Sequence, residues 1–281
     1  MIEASQSFRA WARARPLVEA LAQAEAAVRA QPQKGQARWL LFELLCLLGH
    51  WERALKQLQT WAGLSKDFDS TAHVMRGLIR AERERSEVFA GRTGPATVAV
   101  VADTPAPAWM AGLGEALRLA AAVDAAGLEA SDLAREAALA GAPDTPGSCD
   151  AQPHFAWITD SDTRLGPVCE VILVGAYRWV AFADLASVQK SAPEGLLDLV
   201  WAQVDLVLSD GTSLKGYMPM RYPVREGDRD ALLTARETVW SDHGRTGVHA
   251  RGQKMWMTDA GDLSLLDLRH CNFGDAARDA A

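Results

Sequence analysis

The apolar residues of this chain change period once, near residue 142, from a three-to-four-residue spacing to an alternation of two, and that switch limits the fold more than any motif. Residues 1–141 carry the helical period and are rich in Ala, Leu, Glu and Arg, so an all-helical half is expected there. Of the fifty Ala in the 281 residues, 34 fall in residues 1–150. Leu17, Ala20, Leu21, Ala24, Ala27 and Val28 form one stripe, closed by Pro32. A second stripe runs from Trp39 to Leu48 and stops at Gly49, a natural C-cap, with Trp51 and Glu52 opening the next helix.

Ala20, Ala24 and Ala27 reappear 34 residues later as Ala54, Leu58 and Trp61, the period of tetratricopeptide repeats. The string L-L-G-H-W-E-R-A-L-K-Q-L resembles the part of that repeat where Gly ends one helix and a small Ala sits at the close crossing. A plain antiparallel hairpin also needs small residues where its helices cross. A third helical pair falls near Ser70 to Phe89, and a further hairpin spans Trp109 to Ala125 and Ser131 to Ala140, separated by Gly127. Between them, residues 91–107 read as an extended connector.

The turn formers from Ala142 to Pro153 mark a linker, giving a helical domain over 1–141 and a β-rich α+β domain over 154–281. In the second half Cys169–Val174 and Tyr177–Phe182 flank Gly175-Ala176, and Val204–Leu208 and Ser213–Tyr217 flank Asp210-Gly211. Both read as β-hairpins, as does Lys254–Met257 with Leu263–Leu266. Asp184–Gln189 reads as a short helix. No long helices alternate with these strands, so the expected sheet is mostly antiparallel.

A net charge of −7 disfavours nucleic acid as a partner. The longest stretch free of charge is the eleven residues between Asp103 and Glu115, too short to span a bilayer, so no membrane contact is expected. The N-terminus has an acid at position 3 and no apolar leader, which points to the cytoplasm. Cys46, Cys149, Cys169 and Cys271 lie too far apart for a zinc motif and read as free thiols. Serine-nucleophile elbows, phosphate-binding glycine loops and H-E-x-x-H are all missing, and neither a cofactor nor a metal is expected.

The densest polar cluster is H-F-A-W-I-T-D-S-D-T-R-L-G-P-V-C-E, residues 154–170. Asp160, Asp162, Glu170 and His154 could ligate a divalent cation and serve a metal-dependent enzyme, since hard cations take carboxylate oxygens. The other reading has Asp160 and Asp162 accepting from turn amides while Arg164 pairs with one of them or with Glu170. The helix from Arg76 to Glu87 alternates its signs and reads as a solvated or acid-paired face.

At W-I-T-D-S-D-T-R-L-G-P-V-C-E the chain resembles the ImpE/TagJ family, accessory proteins of bacterial type VI secretion. Family-like stretches recur at residues 38–58 and 81–91, at Y-R-W-V-A-F (177–182), D-L-V-W (198–201), M-P-M-R-Y-P (218–223), T-V-W (238–240) and G-Q-K-M-W (252–256). Met218 and Met220 depart from the usual Leu and Val. The resemblance implies a non-enzymatic adaptor that binds the N-terminal helix of the small sheath subunit TssB and is linked to the ClpV unfoldase in sheath recycling. Candidate partner-binding or signature residues are Trp39, Trp51, Arg53, Trp157, Asp160, Asp162, Arg164 and Glu170.

Overall fold

The computed structural model describes residues 16–98, 100, 105–122 and 124–274. The N-terminal stretch read above as lacking a leader, and part of the extended connector, lie outside the described residues. Helices come first: α1 (Leu17–Ala30), α2 (Gly35–Leu47), α3 (Trp51–Ala62), α4 (Asp69–Phe89), α5 (Ala108–Ala120) and α6 (Ala125–Ala140). Strands follow as β1 (Gly147–Cys149), β2 (Gln152–Phe155), β3 (Ile158–Asp160), β4 (Val168–Leu173), β5 (Ala176–Ala181), β6 (Leu185–Lys190), β7 (Trp201–Leu208) and β8 (Ser213–Pro219). After the short helix α7 (Asp230–Leu233) come β9 (Thr238–His243), β10 (Gly247–Gly252), β11 (Met255–Thr258), β12 (Gly261–Ser264) and β13 (His270–Phe273).

Helix α2 stops where its C-cap glycine stands. Gly49 has φ +70°, its amide donates to Cys46 O at 3.0 Å, and the His50 amide donates to Leu45 O at 2.8 Å. These two bonds satisfy carbonyls that the helix would leave orphaned. Gly127 does not separate two helices as expected. It lies in the first turn of α6, where its amide donates to the N-cap carboxylate of Asp124 at 2.6 Å.

The strands form an antiparallel eight-stranded sheet in the order β2-β1-β13-β6-β7-β8-β4-β5, a three-stranded sheet β12-β11-β3, and the β9–β10 hairpin. An α+β architecture, helices first and antiparallel sheet second, is thus observed. Further local expectations are corrected: Ser70 to Phe89 is the single helix α4, not a helical pair. Leu185–Lys190 is strand β6 between β13 and β7, not a helix, because only a 3-10 turn at Phe182–Asp184 precedes it and Leu185, Val188 and Lys190 bury against the sheet. Gly147–Cys149, within the stretch expected as linker, pairs with β13 as β1. The β4–β5 turn sits one residue earlier than expected, at Val174-Gly175, both with positive φ.

That turn explains how helix meets sheet. A Cβ on Gly175 would come within 2.9 Å of the Gly77 Cα, so the α4 backbone rests on the turn only because both residues are glycine. Arg80 donates two hydrogen bonds to Gly175 O. The connector completes the edge: Val98 N donates to Trp179 O at 2.9 Å and Trp179 N to Ala96 O at 2.8 Å, alongside β5 in the parallel sense. One apolar core runs through both halves, from Phe42, Leu45 and Ile79 to Trp179, Trp201 and Trp256.

Candidate functional site

Along α4 the residues turned inward are Leu78, Ile79, Ala81, Glu82, Arg85 and Val88, a helical stripe in which two positions are charged. Arg85 is 1% exposed. A guanidinium withdrawn from water must find fixed acceptors, and Arg85 finds them on β4: Nε donates to Glu170 Oε1 at 2.7 Å and Nη2 to Oε2 at 2.9 Å. Its Nη2 also donates to Arg221 O at 3.1 Å.

Glu170 stands in V-C-E-V-I-L, an otherwise apolar strand, and is fully buried. It also accepts from the Tyr177 hydroxyl at 2.6 Å and from Lys254 Nζ. Lys254 is itself fully buried and reaches Asp160 Oδ2 at 2.5 Å, while the Tyr222 hydroxyl donates to Asp160 Oδ1 at 2.8 Å. Trp179 Nε1 donates to the Tyr177 oxygen at 2.7 Å, and Trp201 Nε1 to Glu82 Oε1 at 3.0 Å. Arg221, also buried, donates to the carbonyls of Cys46, Leu47 and Leu233, capping the end of α2 from the β half. Three cations (Arg85, Arg221 and Lys254) and three carboxylates (Glu82, Asp160 and Glu170) thus balance inside the protein.

The fields follow from this balance. Burial opposes ionisation of Glu170, but Arg85 and Lys254 outweigh it and hold the carboxyl well below its usual range. Burial raises Asp160 to about 6 against the pull of Lys254. Lys254 is pushed down by burial but raised overall by Asp160 and Glu170. Tyr177 is raised by burial and by the Glu170 charge, so it stays a donor.

The D-S-D-T-R segment folds on its own side chains. Asp160 Oδ1 accepts from the Asp162 amide at 2.9 Å, and Asp162 Oδ1 accepts from the Arg164 amide at 3.0 Å and from Arg164 Nε at 2.8 Å. The Ala250 amide donates to Asp162 Oδ2 at 2.9 Å, fastening β10 to the turn. Arg164 pairs with Asp162, not with Glu170, and its guanidinium lies 4.6 Å from the centre of the Phe89 ring. The Asp160 and Glu170 carboxylates each face the Lys254 ammonium, and among the described residues no group of three or more His, Cys, Asp and Glu is arranged to hold a metal ion. His154 is exposed on β2.

Asp160, Asp162, Arg164 and Glu170 therefore gather at the seam between helices and sheet. Trp157 stands outside their bonding, half-buried between β2 and β3. Trp39 belongs to an aromatic stack in the helical half, 4.6 Å from Trp61, which in turn lies 4.1 Å from Phe68. Trp51 touches the edge of the seam, 5.7 Å from Trp201. Arg53 is exposed and pairs with Glu25 across helices. Sequence reasoning did not single out Arg85, Tyr177, Tyr222 or Lys254. The available signal was a charge amid apolar neighbours, as with Lys254 in G-Q-K-M-W, since a charge in such company must be paired.

A family model described as ImpE protein matches residues 152–272. The type VI secretion system accessory component TagJ of Pseudomonas aeruginosa is 40% identical over 264 residues, covering 93% of this chain and 89% of that protein. The crystal structure of protein VPA1032 from Vibrio parahaemolyticus matches with a TM-score of 0.80 at 25% identity, covering 92% of this chain and 94% of that one. The chain belongs to the ImpE family.

Proposed function

We propose, from membership of the ImpE family, that this protein is a non-enzymatic adaptor of a type VI secretion system. The observation that carries the reading is the 40% identity with an accessory component of that system, which extends over both halves of the chain and not over one domain alone. In its finer form, the protein binds the N-terminal helix of the small sheath subunit TssB in the cytoplasm and holds sheath material near the ClpV unfoldase. Tethering of this kind raises local concentration and needs no chemistry. A tetratricopeptide-like stack of α1 to α4 suits it, because stacked hairpins offer grooves to an amphipathic helix. The buried cluster supports the same reading from another side. Its carboxylates are neutralised by Arg85 and Lys254 and are closed to solvent, so they act as a fixed joint between helices and sheet.

The direct test is calorimetry of the full chain with a synthetic peptide of the cognate TssB N-terminal helix. Saturable binding at about micromolar strength, lost when one apolar residue of the peptide is replaced by Asp, is the expected result. Absence of heat together with failure to co-purify with the sheath subunit would remove the TssB reading.

A further inference from the structure

A cavity of about 300 Å³ opens at the seam, lined from the helical side by the end of α4, by α5 and by α6, and from the β side by Arg164, Arg225, His243 and His249. Its two walls differ in character. Phe89, Leu113 and Leu117 supply an apolar floor, while Arg135, Arg164 and Arg225 bring three guanidinium groups to the other side. The β9–β10 hairpin closes it, latched to α6 where Asp132 accepts from the Arg245 amide at 2.7 Å and the Arg135 guanidinium donates to Thr246 Oγ1 at 3.1 Å.

The positive charge here is not fully matched. Arg164 is paired with Asp162 and Arg135 with Asp132, but the Arg225 guanidinium makes no hydrogen bond or ion pair among the described residues. The Arg135 Nε is buried without a partner on a side chain 5% exposed. His249 stacks on His243 with ring centres 3.9 Å apart. Burial, then the Arg164 charge, hold His249 down at about 3 despite the opposing pull of Asp162, with His243 and Arg225 adding further repulsion. Partial burial, then Arg164 and Arg251, lower Arg225 as well, although the residue as a whole is exposed. An anion would relieve the mutual repulsion of these cations, and the apolar floor calls for a hydrocarbon body attached to it.

We propose that this cavity is a binding site for a small organic carboxylate, its carboxyl group facing Arg225 and Arg164 and its apolar body resting on Phe89, Leu113 and Leu117. The size agrees, because about 300 Å³ is the lower end of small-molecule sites and fits roughly ten heavy atoms. The proposal does not rest on where a partner helix docks, so its failure leaves the adaptor reading standing.

The probe is benzoate, titrated into the full chain by calorimetry, with benzyl alcohol as the uncharged counterpart and inorganic phosphate as the anion without a hydrocarbon body. Benzoate should bind one to one with a dissociation constant on the order of 1 mM or below, and should shift the imidazole proton resonances of His243 and His249. Benzyl alcohol and phosphate should each bind at least about tenfold more weakly, as should benzoate to Arg225→Gln, whose lost side chain holds nothing else in place. Equal binding of benzoate and benzyl alcohol would show that charge is not read and would overturn the proposal. So would unchanged affinity in Arg225→Gln, or histidine resonances that stay still while benzoate binds elsewhere. An acidic peptide that binds at these histidines when benzoate does not would give the cavity to a protein partner and overturn it equally.

Discussion

Helix α4 presents two faces built from the same residue types. On the outer face Arg83 pairs with Glu52 of α3, and Arg80 lies 3.8 Å from Glu84, all four side chains at least 42% exposed. On the inner face Arg85 pairs with Glu170 and Glu82, the least hidden of them 7% exposed. A single residue separates Arg83 from Arg85, yet water screens the first pair and not the second. Exposed pairs gain little because solvent already satisfies each charge, whereas a buried charge deprived of its partner keeps the whole desolvation cost. The inner pair therefore specifies where α4 must sit on the sheet, whereas the exposed pairs add little as ion pairs, although Arg80 and Glu84 also bond the Gly175 carbonyl and the Tyr177 amide.

The largest expected effect breaks this comparison directly. Arg85→Met should lower stability in urea unfolding by about 3–5 kcal/mol, because Glu170 would keep Lys254 as its one counter-charge in a dry site. Arg83→Met should change it by less than about 1 kcal/mol. Similar values for the two would mean that burial does not separate the faces. Adding Glu170→Gln to Arg85→Met should cost less than the sum of the single changes by about 1–3 kcal/mol, since the two charges act as a unit.

Acid titration should separate Asp160 from the exposed carboxylates by sign. Glu87 and Glu115 are exposed and held below their ordinary range by Arg92 and Arg118, so what they contribute is lost as pH falls. Asp160 behaves oppositely. Its folded value of about 6 exceeds the unfolded one, so the folded state keeps a proton that the unfolded chain releases, and stability falls as pH rises from about 4 to 6. That contribution, at most about 3 kcal/mol, should be lost in Asp160→Asn, leaving the fall of the same sign from Glu43, which burial raises to about 7. An undiminished fall in that variant would assign the slope to another group.

A smaller effect tests the hydrogen bonds around the inner pair. Tyr177→Phe removes a donor to the Glu170 carboxylate and should cost about 1.5–3 kcal/mol in the same unfolding assay, with Arg85 still in place. The smallest concerns two thiols directly opposite in β1 and β13, Cys149 half-buried and Cys271 buried. Hydrogen bonding with Cys271 lowers the Cys149 thiol to about 6 against the effect of burial, while Cys271 itself is raised. At pH 7 iodoacetamide should modify Cys149 before Cys46, Cys169 or Cys271, and the rate should drop as pH goes below about 6. Mass spectrometry showing Cys271 modified first would reverse that assignment.

Much of the architecture was legible because it is written in local chemistry. Gly49 ends α2 since only a residue tolerant of positive φ closes that turn, and the alternation of Val204 to Leu208 with Ser213 to Tyr217 marks the β7–β8 hairpin whatever surrounds it. Asp184–Gln189 misled because its short apolar spacing suits a helix turn as well as a strand, and only pairing with β13 and β7 decided between them. At the candidate site, the D-S-D-T-R turn was legible because Asp160, Asp162 and Arg164 satisfy one another within five residues. The partners of Glu170 were not, because Arg85 lies 85 positions earlier and Lys254 84 later.

The sequence alone therefore determined the helical and β halves, the antiparallel hairpins, the self-contained acidic turn and the family resemblance. Each of these rests on spacing within a few turns or strands, or on strings of adjacent residues. The tertiary structure alone decided which charges meet at the seam and that Arg225 is left facing a cavity without a counter-ion. Ion pairing depends on burial and on approach across the fold, and neither quantity has a period along the chain.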